Sequence, residues 1–188
     1  MKIVHTESSM GWGGQEMRIL AEAEGMRQRG HEIFFALSSG SELAKRARQK
    51  GFVVHTFCFK KKALFSTVKK LLLFFKKERI DLVNTHSSLD AWIAGIAAKL
   101  SKKRVVRTRH LSTSIRGGLN GFILYNKLAD FVVSTSSAVL PLLQEKAGLS
   151  PLRMQCIATG VNPKIADAVQ DTAIFRKTLG LSPTDILV

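Results

Sequence analysis

Short apolar runs alternate along this chain with longer stretches whose apolar positions recur at helical spacing. Lys2–Thr6 reads as a short strand, and a glycine-rich turn, Gly11–Gly14, follows it. Gln15–Arg29 predicts a helix with Met17, Leu20, Ala21 and Met26 on roughly one side. Gly30 stands where a helix C-terminus favours a left-handed residue. The alternation continues with strands at His31–Leu37, Phe52–Phe57, Asp81–Thr85, Arg104–Thr108, Phe131–Ser134 and Met154–Ala158. Helices are predicted at Ser41–Lys50, Ser66–Glu78, Ser88–Leu100, Phe122–Ala129 and Ser136–Ala147.

Strands and helices of these lengths in alternation predict βαβ crossovers. The expected fold is α/β, a doubly wound parallel sheet of Rossmann-like type with the first strand central. Runs such as Leu82-Val83 and Phe131-Val132-Val133 suit strands covered on both faces. Ligands of such sheets bind at the carboxyl ends of the strands. The residues just after each strand are therefore the candidates for chemistry.

Gly13 and Gly14 follow the first strand and precede a helix. Their backbone N–H groups could approach an anion, or they could form only a tight turn. Glu16, in the first helical turn, suits the helix dipole as well as a ligand. His86 closes the fourth strand, Ser87 or Ser88 can cap the next helix, and Asp90 sits in its first turn. Arg107, Arg109 and His110 cluster at the end of the fifth strand, a place for a phosphate or a sugar hydroxyl. Gly117, Gly118, Asn120 and Gly121 predict a loop over that site, or a plain connector. No acidic residue closes the second strand, and the glycine spacing is not that of a dinucleotide fingerprint. The sequence has no phosphate-binding loop ending in Lys and Ser or Thr, no Gly-x-Ser-x-Gly elbow and no Cys/His cluster. Neither a cofactor nor a metal is expected.

Charge adds a partner to this picture. The 188 residues carry a net charge of +15. Leu43 to Lys77 contains 11 Lys and Arg and no acid, and Ala91 to Ala129 contains 8 and no acid. Fields this one-sided imply lipid headgroups, a phosphorylated substrate or nucleic acid. Nucleic acid is not expected, because the aromatics do not interleave with the basic residues as stacking platforms. At about 100° per residue, Leu64, Val68, Leu71, Leu72 and Phe75 form one stripe, which would face the sheet. Leu73 and Phe74 fall off it, among Lys69, Lys70 and Lys77, and Lys60, Lys61 and Lys62 lie just upstream. That helix face predicts contact with an anionic membrane surface. Cys58 and Cys156 lie far apart beside apolar residues and read as buried free thiols. With no membrane-spanning run and no signal-peptide pattern, the expected location is cytoplasmic, peripheral on the inner face of the cytoplasmic membrane.

Six segments taken in order resemble glycosyltransferase family 4. They are Gly13-Gly14-Gln15-Glu16, Arg29-Gly30-His31-Glu32, Asp81-Leu82-Val83-Asn84-Thr85-His86, Arg107-Thr108-Arg109-His110, Ala129-Asp130 and Thr159-Gly160-Val161-Asn162. The resemblance implies the N-terminal half of a GT-B enzyme, whose two Rossmann-like domains face each other across a cleft. It implies metal-independent transfer with retention, from a nucleotide sugar to a glycan or glycolipid acceptor of lipid-linked or lipopolysaccharide type. On this resemblance His110 is the catalytic-site histidine beside the donor sugar. Gly13 and Gly14 approach the donor diphosphate or the acceptor, and Glu16 and His86 line the acceptor side. Residues 1–160 would be the acceptor-side domain. Residues 161–188 would be a hinge and the start of a C-terminal nucleotide-sugar domain, without which the chain would be inactive. The alternatives are a basic Rossmann-like module for membrane or nucleic acid, and a dinucleotide oxidoreductase.

Overall fold

Seven parallel strands make one sheet in the computed structural model, which describes residues 1–110, 115, 117–160, 172–182 and 185. The strands are β1 (Lys2–Glu7), β2 (Glu32–Ser38), β3 (Val53–Phe57), β4 (Leu82–Thr85), β5 (Arg104–Arg109), β6 (Phe131–Ser134) and β7 (Met154–Cys156). Their order is β3-β2-β1-β4-β5-β6-β7, and each neighbouring pair is parallel. β1 lies inside the sheet, as predicted. The strand order reverses between β1 and β4, which opens a crevice beyond their carboxyl ends.

Alternation of side chains along the strands builds a core on each face. On one face Ile3, Ile33, Phe35 and Leu37 pack with Ile19, Leu20 and Ala23 of α1 (Gly14–Gln28) and Leu43, Ala44 and Ala47 of α2 (Glu42–Gln49). On the other, Val4, Phe34, Ala36, Val83 and Val105 pack with Val68, Leu71 and Phe75 of α3 (Leu64–Lys77) and Ile93, Ala94 and Ala97 of α4 (Ser88–Leu100). A third cluster joins Val132 to Leu124 and Leu128 and to Val139 and Leu143 of α6 (Val139–Ala147). Burying one such large side chain stabilises the fold by ~1.5–3 kcal/mol. α1 is followed by Gly30 at φ +82°, the left-handed residue its C-terminus requires.

The helix expected at Phe122–Ala129 begins earlier, as α5 (Gly118–Phe122), and runs into one π-helical turn, Ile123–Lys127. Gly118, Asn120 and Gly121 are thus helical rather than a loop, and Gly117 precedes the helix. The buried face of α3 is wider than the predicted stripe. Phe74 is only 6% exposed, because the helix flank beside the stripe faces the edge strand β3. Its ring packs on those of His55, Phe57 and Phe34, with centroids 4.5, 5.6 and 6.4 Å away. Phe74 therefore cannot serve as a membrane contact. Leu73 remains 63% exposed, and Lys69, Lys70 and Lys77 are exposed around it. The cysteines are free but not buried: Cys58 is exposed just past the edge strand and Cys156 is half-buried on the other edge. Among the described residues no helix is long and apolar enough to cross a membrane.

The contacts divide the chain into two units, Met1–Ala158 and Thr159–Val188. The second contains α7 (Thr172–Thr178), and there the Arg176 guanidinium donates to the carbonyls of Ser182 and Asp185.

Candidate functional site

A cavity of about 600 Å³ opens at the carboxyl ends of β4 and β5. Its polar lining includes Gln15, Lys61, His86, Arg107, Arg109 and His110, with Ser87, Ser88 and Asn120 beside them, and Leu89, Trp92, Leu124 and Tyr125 form an apolar wall. Four of the residues singled out in the sequence meet here: His86, Arg107, Arg109 and His110. Strand register brings them together. Thr85 pairs with Arg107 across β4 and β5, so the residues that follow each strand emerge at one edge.

The arginines are held by the cavity wall. Arg107 is 3% exposed, donates to the Ser87 carbonyl at 3.1 Å, and lies over the Tyr125 ring at 5.0 Å. Arg109 donates to the Tyr125 hydroxyl at 2.9 Å. The π-helical turn carries Leu124 and Tyr125 into the lining, a frequent use of such turns. Arginines braced in this way lose little further freedom on gripping a phosphate or carboxylate.

Two carboxylates lie beneath the cavity. Asp90 is fully buried and caps α4, accepting from the Ser87 backbone at 2.9 Å, the His86 backbone at 3.0 Å and the Thr6 hydroxyl at 2.7 Å. Those bonds occupy it, so Asp90 supports His86 and Ser87 and does not reach the cavity. Burial, then the Glu7 carboxylate, pushes its pKa up to about 8. Glu7, at the end of β1, accepts from the Ser9 backbone at 2.8 Å and from the side chains of Gln15 and Ser87. Burial raises its pKa despite those bonds. Glu16 is likewise buried, and its carboxylate accepts from the Gly13 backbone N–H at 2.9 Å. Glu16, Gly13 and Gly14 therefore form the start of α1 beside the site rather than its lining. A Cβ added to Gly14 would meet nothing within 4 Å, so the backbone there is open to solvent.

His86 and His110 stand on the same edge, with His86 Nδ1 2.9 Å from His110 Nε2. His86 Nε2 lies 3.0 Å from Nδ1 of His5. Burial is the main cause that lowers all three pKa values: His5 and His110 to about 4, and His86 well below its ordinary value. The Arg18 and Arg107 charges add to the effect at His110. The histidines are neutral at pH 7, and the cavity's positive charge comes from Arg107, Arg109 and Lys61. Among the described residues no group of His, Cys, Asp and Glu is arranged to hold a metal.

The sequence reading missed Glu7, His5, Gln15, Lys61, Leu89, Trp92 and Tyr125. His5 and Glu7 had a usable signal, since a polar residue in an otherwise apolar inner strand must find a partner. Tyr125 and Trp92 had none, because helical periodicity accounts for both as core.

Known proteins share this fold. The structure of Anabaena Alr3699/HepE in complex with UDP and glucose superposes with a TM-score of 0.76 at 21% identity, over 96% of this chain and 50% of that one. A glycosyltransferase from Rickettsia africae gives 0.83 at 19%, over 97% and 50%. The lipopolysaccharide outer core galactosyltransferase WaaB, in its apo form, gives 0.61 at 19%, over 86% and 46%. At these identities the likeness shows the fold alone, one Rossmann-like half of a GT-B glycosyltransferase, and the chain spans about half the length of these structures. No curated protein matches the sequence. The family model for Glycosyltransferase Family 4 matches residues 12–165, a span that runs from the glycine turn past the end of the sheet. With that span on a sheet of this order, the chain belongs to glycosyltransferase family 4 as its N-terminal type of domain.

Proposed function

We propose that this chain is the acceptor-side half of a retaining, metal-independent transferase that moves a sugar from a nucleotide sugar to a cell-envelope acceptor, lipid-linked or of lipopolysaccharide type. The observation that carries the reading is the cavity at the β4 and β5 ends, where Arg107, Arg109, Lys61 and His110 converge beside an apolar wall. The cations suit phosphate or pyrophosphate oxygens, and Trp92, Leu89 and Tyr125 suit the face of a sugar ring or an acyl-bearing acceptor. His110 faces the transferred sugar, and His86 supports it from below. The relatives favour the same chemistry: HepE is bound to UDP and to UDP-glucose, and WaaB acts on the lipopolysaccharide outer core. A second Rossmann-like domain supplies the rest of the diphosphate grip, so this chain alone does not turn over.

The acceptor's location suits the exposed basic surface. Phe65 and Leu73 project from α3 among Lys69, Lys70, Lys76 and Lys77. A groove of about 360 Å³ beside them is lined by Leu72, Leu73, Lys76, Ser101 and Lys103. An apolar tip ringed by lysines suits an anionic headgroup layer, so the enzyme works peripherally at the inner face of the cytoplasmic membrane. The test is sugar transfer from a panel of nucleotide sugars to extracted envelope lipids, by this chain alone and by the chain joined to its donor domain. Transfer by the joined protein only is expected. Turnover by this chain alone would contradict its incompleteness, and none by either would contradict the transferase reading.

A further inference from the structure

His5, His86 and His110 form one hydrogen-bonded chain that runs from the core to the cavity. Each contact needs one N–H and one bare nitrogen, and a neutral imidazole carries a single N–H. All three rings are neutral at pH 7, because burial disfavours their charged forms. Neutral rings in this arrangement have only two self-consistent states. In the first, each proton sits on Nδ1: His5 donates to His86, His86 donates to His110, and His110 keeps an N–H at Nδ1. In the second, each proton sits on Nε2, both bonds reverse, and His110 Nδ1 is bare.

The two ends of the chain choose between these states. At the inner end, His5 Nε2 is buried and has no hydrogen-bond partner among the described residues. The second state would strand an N–H there, whereas the first leaves only a lone pair. Orphaned buried N–H groups are rarer in proteins than under-satisfied acceptors. At the outer end, His110 lines a cavity whose charged groups, Lys61, Arg107 and Arg109, are all donors. An oxygen-rich anionic ligand is met there by one more donor in the first state and by a competing lone pair in the second. The inner end sets the direction, the outer end suits it once an anionic ligand is bound, and the proton on one ring fixes the tautomer of the next.

We infer that His5 and His86 are positioning residues that hold His110 as the Nδ1–H tautomer, so that the cavity presents an uncharged hydrogen-bond donor at this point. The benefit to a sugar or phosphate oxygen rests on the transferase reading, but the tautomer itself does not. The two are therefore tested separately.

The experiment is long-range ¹H–¹⁵N correlation of the histidine rings in this 188-residue chain at pH 7 without ligand, with His110 assigned by His110→Gln. The expected spectrum places His110 Nδ1 at a protonated-type ¹⁵N shift and Nε2 at an unprotonated-type shift, with the same pattern for His86 and His5. His5→Asn, whose amide can still donate to His86, keeps the His110 pattern. His86→Phe removes the donor to His110 and moves the His110 Nε2 shift toward the protonated type as its two tautomers mix. A wild-type His110 protonated at Nε2, or an imidazolium at pH 7, overturns the inference on the wild-type spectrum alone, whatever the variants do. A folded His86→Phe protein with an unchanged His110 pattern overturns the positioning role.

Discussion

His86 Nδ1 lies 2.9 Å from His110 Nε2, although the two residues are 24 positions apart and follow different strands. The parallel pairing of β4 with β5 makes this contact: Thr85 lies opposite Arg107, and each strand end delivers its histidine to the same crevice. The contact ties the buried centre of the sheet to the cavity, and several consequences can be measured.

The first concerns stability against pH. His5 has its pKa lowered from 6.5 to about 4, first by burial and then by the His110 charge. The unfolded chain takes up that proton near 6.5, and the folded chain refuses it until about 4. The contribution is fully present above pH 6.5 and is lost as the pH falls toward 4. Buried Asp90, with its raised pKa, acts in the opposite direction, so the comparison is best made between wild type and His5→Phe, which share it. Denaturant titrations from pH 7.5 to 5 should show wild type losing up to ~1.4 kcal/mol more per pH unit than the variant once below 6.5. Parallel curves would show that His5 does not titrate in this way.

Asp90 supports the site without touching its ligand. Asp90→Ala strands the Thr6 hydroxyl and the N–H groups of His86 and Ser87. A loss of about 1–3 kcal/mol in folding stability is expected from calorimetry. A variant as stable as wild type would mean that these bonds contribute nothing net.

Neighbouring residues on α3 should separate cleanly. Leu73→Ser removes an exposed side chain, so stability should stay within about 0.5 kcal/mol while sedimentation with anionic vesicles falls. Phe74→Ser empties a packed aromatic site and should cost about 3–5 kcal/mol. Vesicle binding by Leu73→Ser equal to wild type would remove this helix from the membrane contact.

The sheet was legible because its signals are local. Apolar runs mark β4 and β6, and Gly30 and Gly148 mark helix ends. That Arg107, Arg109, His86 and His110 gather in one place was legible because a doubly wound sheet sends its strand ends to one edge, and all four line the cavity. Asp90 and Glu16 were read for chemistry when capping already used their oxygens, which a sequence does not reveal. Phe74 was misplaced because helical periodicity knows one buried stripe and nothing of an edge strand alongside. The histidine chain was hidden for a related reason. His5 contacts His86 across 81 positions, and only strand order joins them.

Arg107 should matter for binding more than for the fold's identity. Its guanidinium is braced by the Ser87 carbonyl and the Tyr125 ring and lines the cavity. On the proposed reading, Arg107→Ala should weaken nucleotide-sugar binding by this chain joined to its donor domain by about tenfold or more, near 1.4 kcal/mol, in calorimetric titration. Unchanged affinity would place the phosphates elsewhere.

The most direct test of the transferase reading is the rate of sugar transfer by the two-domain enzyme with and without the His110 side chain. His110 lines the cavity beside Arg107 and Arg109. Removing one donor from a site of developing charge costs about 10²–10³ in kcat. His110→Ala is predicted to lower kcat by that order while the acceptor KM changes little. An unchanged kcat would contradict the placement of the reaction centre at the β4 and β5 ends.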